Sequence, residues 1–402
     1  MNFRRPAPET GQLSGPLTGS ARVALLSGLP QWQQRLAGAG ACTVPGLLIR
    51  LAGGPVPYPL QLIGYGAAVV AAAFILAWAC EAAQVDIGHG LVVAAVAFVA
   101  ILPEYVVEVH FAFSGHAEYV TANLTGASRL LLGFGVALPA ALALLPQRWR
   151  PHHLGRLELA PPQRIELGVL ALAAVWALRP VLRGGLTLLD AAVLISLYAF
   201  YLHRVASAGG ESPEPIGVAR RLAELPADQR RRWVVGLMSY SAIVILLTAV
   251  PFSNAVLGTG ALVGISPYLL LQWLVPVATE TPEIVVAMVL LMHGRGGQSI
   301  AVLLSAAVSQ YTLALGTLPV AFHLGAGAGA LPLQPREQLE LFLTVGVALY
   351  AVAALVRLQL SRGDATIMLM LFALQFLLPN VFSRGVLAVV FLALAVDIFV
   401  SE

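Results

Sequence analysis

The strongest constraint in this sequence is its series of long apolar stretches. A helix needs about 20 apolar residues to cross the hydrocarbon core of a bilayer, and eleven stretches are candidates. They run over residues 59–80, 88–114, 119–145, 165–178, 186–202, 233–252, 265–292, 299–322, 339–360, 365–378 and 386–400. Because the fourth, tenth and eleventh are short, we predict an all-α polytopic membrane protein with about 10 to 11 transmembrane helices.

Composition supports this class and excludes others. Of the 402 residues, 58% are hydrophobic and 11% are charged, whereas a soluble globular domain carries about 25% charged residues. A soluble enzyme is therefore excluded. The net charge of +3 is too small to indicate a nucleic-acid partner, and two cysteines predict neither a disulfide framework nor a metal or redox motif. We expect the lipid bilayer as the surroundings of the chain and no cofactor.

Arginine in the loops predicts the orientation. The loop after the third stretch and the central loop of the chain are both rich in arginine, and both lie on one side of the membrane. These residues are Arg148, Arg150, Arg156 and Arg164, and Arg204, Arg220, Arg221, Arg230, Arg231 and Arg232. Arginine-rich short loops face the cytoplasm, so we expect a multi-pass protein of the inner cell membrane with its central loop cytoplasmic.

Two segments of the chain resemble each other at an offset of about 180 residues. FVAILPEYVVEVHFAFSGH aligns with PVATETPEIVVAMVLLMHG at an offset of 179, which matches Glu104 with Glu283. ASRLLLGFG aligns with VSQYTLALG at an offset of 181. Because five spans separate the matched helices, the second copy is inverted in the membrane. Inverted repeats are typical of secondary transporters, whose binding site lies near the midplane between the copies.

The repeat predicts the domain organisation. Two inverted five-helix repeats occupy residues 59–204 and 232–402, the second with a possible extra C-terminal helix, and residues 205–231 form the central loop. Residues 1–58 are rich in Gly, Pro and Ser, which favours a flexible or interfacial N-terminal tail. A twelfth span near residues 39–54 is the alternative that would reconcile the arginines of this tail with the orientation.

Carboxylates in the matched helices predict a cation site. An ionised carboxylate at the centre of a span costs about 2.5 to 3.5 kcal/mol and rarely faces lipid. Glu104 and Glu108 are one turn apart and Glu280 and Glu283 are three residues apart, so each pair shares a helix face. With the hydroxyl of Thr279, they could supply the oxygen ligands that Ca²⁺ prefers. Glu108 and Glu280 have no acidic counterpart in the other repeat, which favours Glu104 and Glu283 as the principal ligands.

Two prolines precede these principal glutamates. Pro103 and Pro282 lack an N–H, so each is predicted to break its helix and to free the carbonyl four residues earlier, at Val99 and Ala278. A free carbonyl at membrane depth is tolerated where it lines a wet cavity. The sequence therefore predicts that both carbonyls lie beside the cation path.

Arg129 stands eleven residues into the third span, where a guanidinium must lie near anions. The four glutamates are the expected anions. One guanidinium leaves three of their negative charges, and one Ca²⁺ leaves one, so this charge balance favours coupling to a proton. Gln310 matches Arg129 in the second repeat, and Ser128 and Ser309 precede the two residues. All four are candidate substrate-contacting or coupling residues.

At these residues the chain resembles the cation/Ca²⁺ antiporter superfamily, which includes sodium/calcium exchangers and cation/proton exchangers. LPE at 102–104 and TPE at 281–283 are similar to the acidic motif of the family, and TGASRLLLGFG at 125–135 is similar to its GSxxSNLLLVLG. The resemblance covers both repeats. It implies a secondary active antiporter that exchanges Ca²⁺ or another inorganic cation for protons by alternating access, with Glu104 and Glu283 binding both ions.

Departures from the family pattern leave alternatives open. Arg129 replaces the expected Asn, and Ala100, Ile101 and Glu280 stand at three of the four Thr-Ser positions of sodium-binding members. A secondary transporter of another substrate, such as an organic anion drawn to Arg129, and a transport-inactive homologue or membrane scaffold are the alternatives. An intramembrane enzyme is disfavoured, because the sequence has no H-E-x-x-H, G-x-S-x-G or paired membrane Asp motif.

Overall fold

The computed structural model describes residues 30–86, 101–143, 157–208, 215–378 and 380–401. They are helical almost throughout, because a segment in lipid must satisfy its backbone hydrogen bonds internally. The helices are α1 Gln31–Ala52, α2 Tyr58–Ala83, α3 Leu102–Phe113, α4 Ala117–Arg129, α5 Ala137–Ala143, α6 Gln163–Arg183, α7 Leu188–Ala208, α8 Gly217–Ala223, α9 Ala227–Val263, α10 Pro267–Met292, α11 Gly296–Ser309, α12 Leu315–Ala326, α13 Pro335–Leu355, α14 Arg362–Leu377 and α15 Val381–Ser401.

The lengths of these helices confirm the polytopic membrane class. Nine helical stretches within the described ranges are long and apolar enough to cross a membrane, and each coincides with one of the eleven predicted stretches. Of the other two, residues 88–114 are described only from α3 onward, and residues 365–378 form α14, a helix of 16 residues. A further prediction concerns Val99, which lies outside the described residues.

The N-terminal segment differs from a flexible tail over residues 31–52. These residues form α1, which packs along α2 where Gly46 meets Gly64 and Ala68 at backbone distance. Its 22 residues extend about 33 Å, yet α1 is not among the nine membrane-crossing candidates of the described chain. Small residues on both helices permit this close approach, which the low hydrophobicity of the segment did not predict.

The two repeats are inverted. Helix α2 opens the first repeat and α9 opens the second, and they pack against each other antiparallel. Tyr58, at the start of α2, lies against Gly258 near the end of α9. Gly66, further along α2, lies against Phe252, which is earlier in α9. The helices that open the two copies therefore run in opposite directions, as the five intervening crossings require.

Two short strands tie the repeats together at one membrane face. β1, Gly185–Thr187, connects α6 to α7, and β2, Ala330–Pro332, connects α12 to α13. They pair antiparallel with Leu186 opposite Leu331. A bridge between Glu158 and Gln359 joins the corresponding loops at the other face. Two paired segments can lie at the same membrane face only if an even number of spans separates them along the chain. The helix order gives an even number for both pairings.

A π-helical segment interrupts the third helix of each repeat at the same place. Leu130–Gly135 separates α4 from α5, and Gln310–Ala314 separates α11 from α12. The two segments begin at or directly after the matched pair Arg129 and Gln310. π-Helical turns are rare and concentrate at functional sites. Their recurrence at an offset of about 180 residues is a structural counterpart of the sequence repeat.

Helices α4 and α10 approach at backbone distance because α10 carries an additional proline. Pro276 cannot donate to the carbonyl of Gln272, and this carbonyl lies against Gly126 of α4. A Cβ atom at Gly126 would lie 1.8 Å from the Gln272 oxygen. This contact brings a helix of the first repeat against the acidic helix of the second.

We expect Gly126→Ala to be strongly destabilising, since the obstructing atom is a backbone carbonyl that cannot rotate away. Overpacking of this kind costs about 1 to 3 kcal/mol or more. Gly168→Ala in α6 is the matched control, because a Cβ there has no atom within 4 Å. Thermal unfolding in detergent should give a lower midpoint for Gly126→Ala and an unchanged or higher one for Gly168→Ala. Equal midpoints would contradict the α4–α10 contact.

An ion pair fixes the end of α2 to the start of α9. The guanidinium of Arg230 contacts both carboxylate oxygens of Asp86, with Nε at 2.8 Å from Oδ2, and also donates to the carbonyl oxygens of Ala223 and Leu225. Asp86 lies beyond the end of α2, outside the membrane span. The hydrogen bonds from Arg230 hold the pKa of Asp86 below its usual value.

We predict a pH-dependent cost for Asp86→Asn. A carboxyl with a lowered pKa in the folded state stabilises above its unfolded pKa, about 4, and loses this contribution as the pH falls through its folded value. The substitution should cost about 1 kcal/mol near pH 7. Melting curves of wild type and Asp86→Asn should converge as the pH is lowered below 4, and an equal difference at all pH values would contradict the ion pair.

Candidate cation-binding site

The four predicted acids lie in one buried region. Glu104 and Glu108 on α3 and Glu280 on α10 are at most 2% exposed, and Glu283 is partly buried. The carboxylate of Glu104 is close enough to those of Glu280, Glu283 and Glu108 for direct charge repulsion. The structure therefore brings acids of both repeats together, although the two helices come from segments about 180 residues apart.

Side-chain amides hold the two glutamates that have no acidic counterpart. Asn123 of α4 donates from Nδ2 to Oε1 of Glu108 at 3.2 Å, and Gln310 donates from Nε2 to Oε1 of Glu280. Ser128 donates to Oε1 of Gln310 at 3.2 Å. A neutral amide stabilises a carboxyl group without neutralising it, so these contacts position the acids and leave the charge of the region uncompensated.

Each of the four acids also has a buried oxygen without a hydrogen bond from the described residues, namely Oε2 of Glu104, Glu108, Glu280 and Glu283. No Arg or His of the described chain forms an ion pair with them. Within the same residues, no group of three or more His, Cys, Asp or Glu is arranged to hold a metal ion. The region is thus rich in buried acceptors, with carboxylates that share one space without forming a closed cage.

The prolines differ in their effect. Pro103 lies in the first turn of α3, directly after a turn at Ile101, so a helix begins there. Helix α10, Pro267–Met292, continues through Pro282 without a break. The predicted break at Pro282 was therefore wrong. A proline removes one backbone hydrogen bond and the flanking bonds suffice to continue the helix. Sequence reasoning also missed Pro276, which leaves the carbonyl of Gln272 free, and this carbonyl contacts Gly126 of α4.

The hydroxyl candidates are engaged with backbone or amide groups. Thr279 is 1% exposed, and its hydroxyl donates to the carbonyl oxygens of Val275 and Pro276 at 3.3 and 3.4 Å. Ser309 donates to the carbonyl of Ser305 at 3.1 Å. Hydroxyl oxygens retain lone pairs while donating, so these residues can still accept from, or coordinate, a ligand.

Arg129 does not pair with the four glutamates. Its guanidinium lies 2.8 Å from Oε2 of Glu340 on α13 and donates to the carbonyl of Thr125 at 2.9 Å and to Gln375 of α14 at 3.2 Å. It also lies 5.3 Å from the ring centre of Trp273, a cation–π contact. Arg129 is fully buried.

Glu340 accepts a second guanidinium. Arg384 of α15 contacts its Oε1, and Gln272 of α10 donates to its Oε2 at 2.9 Å while accepting from Arg384 at 3.1 Å. We call Arg129, Glu340, Arg384 and Gln272 the arginine cluster. It joins α4 and α10 to α13 and α15, and its carboxylate is 1% exposed.

The predicted charge balance was therefore wrong in one respect. It counted Arg129 against the four glutamates, whereas the guanidinium is neutralised by Glu340. The sequence did contain a signal, since Glu340 lies near the start of the stretch at 339–360 and an arginine at membrane depth needs a carboxylate. Arg384 fell outside the predicted stretch at 386–400, and pairing between separate spans is not visible in one sequence.

A helical membrane protein with inverted repeats and a buried acidic centre between them belongs to the class of secondary transporters. The family model described as sodium/calcium exchanger protein matches residues 58–206 and 233–379. The chain therefore belongs to the sodium/calcium exchanger family, within the cation/Ca²⁺ antiporter superfamily. Its members are ion exchangers and not enzymes.

Solved structures agree with this assignment. The crystal structure of the H⁺/Ca²⁺ exchanger CAX is 33% identical and superposes with a TM-score of 0.86 over 92% of this chain and 94% of that one. Native YfkE (14% identity, TM-score 0.63, 88% and 99% covered) and the sodium-calcium exchanger NCX_Mj soaked with 2.5 mM Na⁺ and 10 mM Sr²⁺ (15%, 0.53, 85% and 99%) share the fold. A search of curated protein sequences gave no match.

Substitution of the carboxylate of the arginine cluster should destabilise the protein more than substitution of one of its guanidinium groups. Glu340→Gln leaves two buried guanidinium groups without their carboxylate and should cost about 3 to 5 kcal/mol. Arg129→Gln leaves the Glu340–Arg384 pair intact and should cost less. Thermal unfolding in detergent should therefore rank Glu340→Gln below Arg129→Gln, with exposed Arg362→Gln close to wild type. The reverse ranking would contradict the shared carboxylate.

Proposed function

We propose that this antiporter exchanges Ca²⁺, or another inorganic cation, for protons by alternating access, with Glu104 and Glu283 binding both ions. The observation that carries the proposal is the convergence of buried carboxylates from both inverted repeats without a basic side chain of the described residues among them. The 33% sequence identity to an H⁺/Ca²⁺ exchanger over 92% of the chain supports Ca²⁺ and H⁺ as the exchanged ions.

The electrostatics of the site give a reason for exchange. Several ionised carboxylates cannot share a space of low dielectric unless cations neutralise them. A divalent cation and protons are alternative means of neutralisation at the same oxygens. Because the two ions compete, release of one favours binding of the other, and a ligand shifts the conformational equilibrium only through its differential affinity for the two states. No separate coupling element is required.

The remaining site residues have supporting roles in this proposal. Glu108 and Glu280, held by the amides of Asn123 and Gln310, supply further oxygens on the flanks of the principal pair. Thr279 lies beside Glu280 as a neutral oxygen ligand. Ser128 and Ser309 border Gln310, which links the third helices of the two repeats through its contact with Ser128. We assign these residues to ligand positioning and coupling.

Arg129 has a structural role in the same proposal. An organic anion drawn to Arg129 would need access to a guanidinium that is fully buried and paired with Glu340. No observation at the site favours such a substrate.

We further propose the inner cell membrane, with the central loop at 205–231 cytoplasmic. Two membrane-crossing helices, α6 and α7, separate the arginine-rich loops, which supports a common side for them, and the arginine bias assigns that side to the cytoplasm. The two functional units remain residues 59–204 and 232–402.

Transport by purified protein in liposomes is the decisive measurement. A pH gradient imposed across the liposome membrane should drive Ca²⁺ movement in wild type, with Mn²⁺ and Na⁺ compared in parallel. Glu104→Gln and Glu283→Gln should reduce the flux to that of empty liposomes, because an amide can neither take up a proton nor neutralise a cation. Glu118→Gln is the matched control, since Glu118, at the start of α4, is exposed and its ion-pair partner among the described residues is the exposed His116; its flux should equal that of wild type.

The proposal would be refuted by wild-type protein that moves none of these cations while a reference exchanger, reconstituted alongside, does. Full flux in Glu104→Gln and in Glu283→Gln would instead preserve antiport and refute the assigned carboxylates.

A further inference from the structure

Glu166 is a further buried acid that lies apart from the four glutamates. Glu166, in the first turn of α6, is 8% exposed. Its Oε1 accepts from the hydroxyl of Ser305 on α11 at 2.7 Å and from that of Tyr201 on α7 at 3.3 Å, and these two hydroxyls lie 3.0 Å apart. Its Oε2 is buried without a hydrogen bond from the described residues. We call Glu166, Tyr201 and Ser305 the hydroxyl cluster.

A packing role does not explain the hydroxyl cluster, as comparison with Asp190 shows. Asp190 is a fully buried acid on α7. Its carboxylate accepts hydrogen bonds from Nη1 of Arg179 at 2.7 Å, from the indole N–H of Trp176 and from both the backbone N–H and the hydroxyl of Thr187. Glu166 has no such cation. Within the described chain, Tyr201 is the titratable group that contacts Glu166, and neither α11 nor α13, which also pack on α6, brings a charged side chain to it.

The chemistry of this cluster suits a proton more than a metal ion. An acid that is buried without a cation is favoured in its neutral form. Hydroxyl groups both donate and accept, so they can reorient to serve the carboxyl in either protonation state. A single carboxylate with two hydroxyls offers too few oxygens for a divalent cation, which takes six or more.

Polar groups lie between the cluster and the carboxylate centre. On α11, Ser309 lies one turn beyond Ser305, about 6 Å along the axis, and donates to its carbonyl. The ring of Tyr198 lies 6.2 Å from that of Tyr201, and its buried hydroxyl has no hydrogen-bond partner among the described residues. Gln310, which follows Ser309, binds Glu280. This row of side chains runs from the first turn of α6, at the membrane face of the Glu158–Gln359 bridge, towards the centre.

The two hydroxyls distinguish Glu166 from the corresponding acid of the second repeat. Helix α13 corresponds to α6, and its first turn carries Glu337, which is also buried. Ser305 and Tyr201 donate to Glu166, whereas no hydroxyl of the described residues donates to Glu337. Within the described chain, a hydroxyl cluster therefore forms around the acid of the first repeat and not around that of the second.

We propose that Glu166 is a proton-transfer site, which with Ser305 and Tyr201 passes protons between the face of the Glu158–Gln359 bridge and the carboxylate centre. The inference rests on the proposed cation/proton exchange and adds a residue to it. The carboxyl of Glu166 gives up a proton towards the centre and takes another from the aqueous face, or the reverse, and no other bond changes. It has no part in binding the transported cation.

Two transport modes separate this role from a structural one. Uptake of ⁴⁵Ca²⁺ driven by a pH gradient requires proton movement, whereas exchange of external ⁴⁵Ca²⁺ for internal Ca²⁺ at equal pH requires only cation binding and alternating access. We expect Glu166→Gln to lower the pH-driven rate about tenfold or more and to leave Ca²⁺/Ca²⁺ exchange at the wild-type rate. Ser305→Ala should lower the pH-driven rate to a smaller extent, and Glu166→Asp should partly restore it.

Glu337→Gln provides a matched control. Glu337 is also a buried acid in the first turn of its helix, 5% exposed, with an oxygen lacking a hydrogen bond from the described residues, but no hydroxyl of those residues donates to it. Its substitution should leave the ratio of the two rates unchanged. Equal loss of both modes in Glu166→Gln and Ser305→Ala would assign the cluster a structural role and overturn the inference. Wild-type rates of both modes in Glu166→Gln would also overturn it, while absence of both modes in wild type would refute the proposed exchange itself.

Discussion

The cost of an uncompensated charge in the low-dielectric interior of a membrane protein governs most of what is specific in this structure. An ionised group at this depth needs a counter-ion, a set of hydrogen bonds or a proton. The fold meets this requirement in three different ways. Asp190 has a guanidinium and several donors, and Glu340 has two guanidinium groups. Of the four central glutamates, Glu108 and Glu280 each accept from an amide, and the other two have no side-chain donor among the described residues. The last group lacks fixed cations, so mobile ones are left to neutralise it.

This division explains how an arginine can lie within the motif at 125–135 without blocking the site. Arg129 directly precedes the π-helical segment of the first repeat, and Gln310 is the first residue of that in the second. Gln310 turns to the carboxylate centre and Arg129 turns away to α13. The inverted repeat supplies equivalent backbone positions, and the side chains at those positions have separated into a site residue and a structural one.

The arginine cluster has a mechanical consequence. Gln272 uses its side chain to contact Glu340 and Arg384, and its backbone carbonyl, freed by Pro276, packs on Gly126. Helices α4 and α10 are thereby tied to each other and to α13 and α15. In contrast, α2 and α9 pack extensively on each other. The buried charges of the arginine cluster lie outside this α2–α9 contact.

The sequence by itself determined the membrane class, because long apolar stretches have no other stable environment, and it determined the inverted repeat, because matched motifs lay an odd number of crossings apart. It also identified the acids of α3 and α10, since a carboxylate at membrane depth is rare enough to be informative. Only the tertiary structure decided which charges meet. The partner of Arg129 is 211 positions away along the chain, and the oxygens of Glu166 meet hydroxyls from two other helices. A linear pattern specifies which face of a helix is polar, whereas helix packing specifies what that face contacts, and the energy of a buried charge depends on the contact.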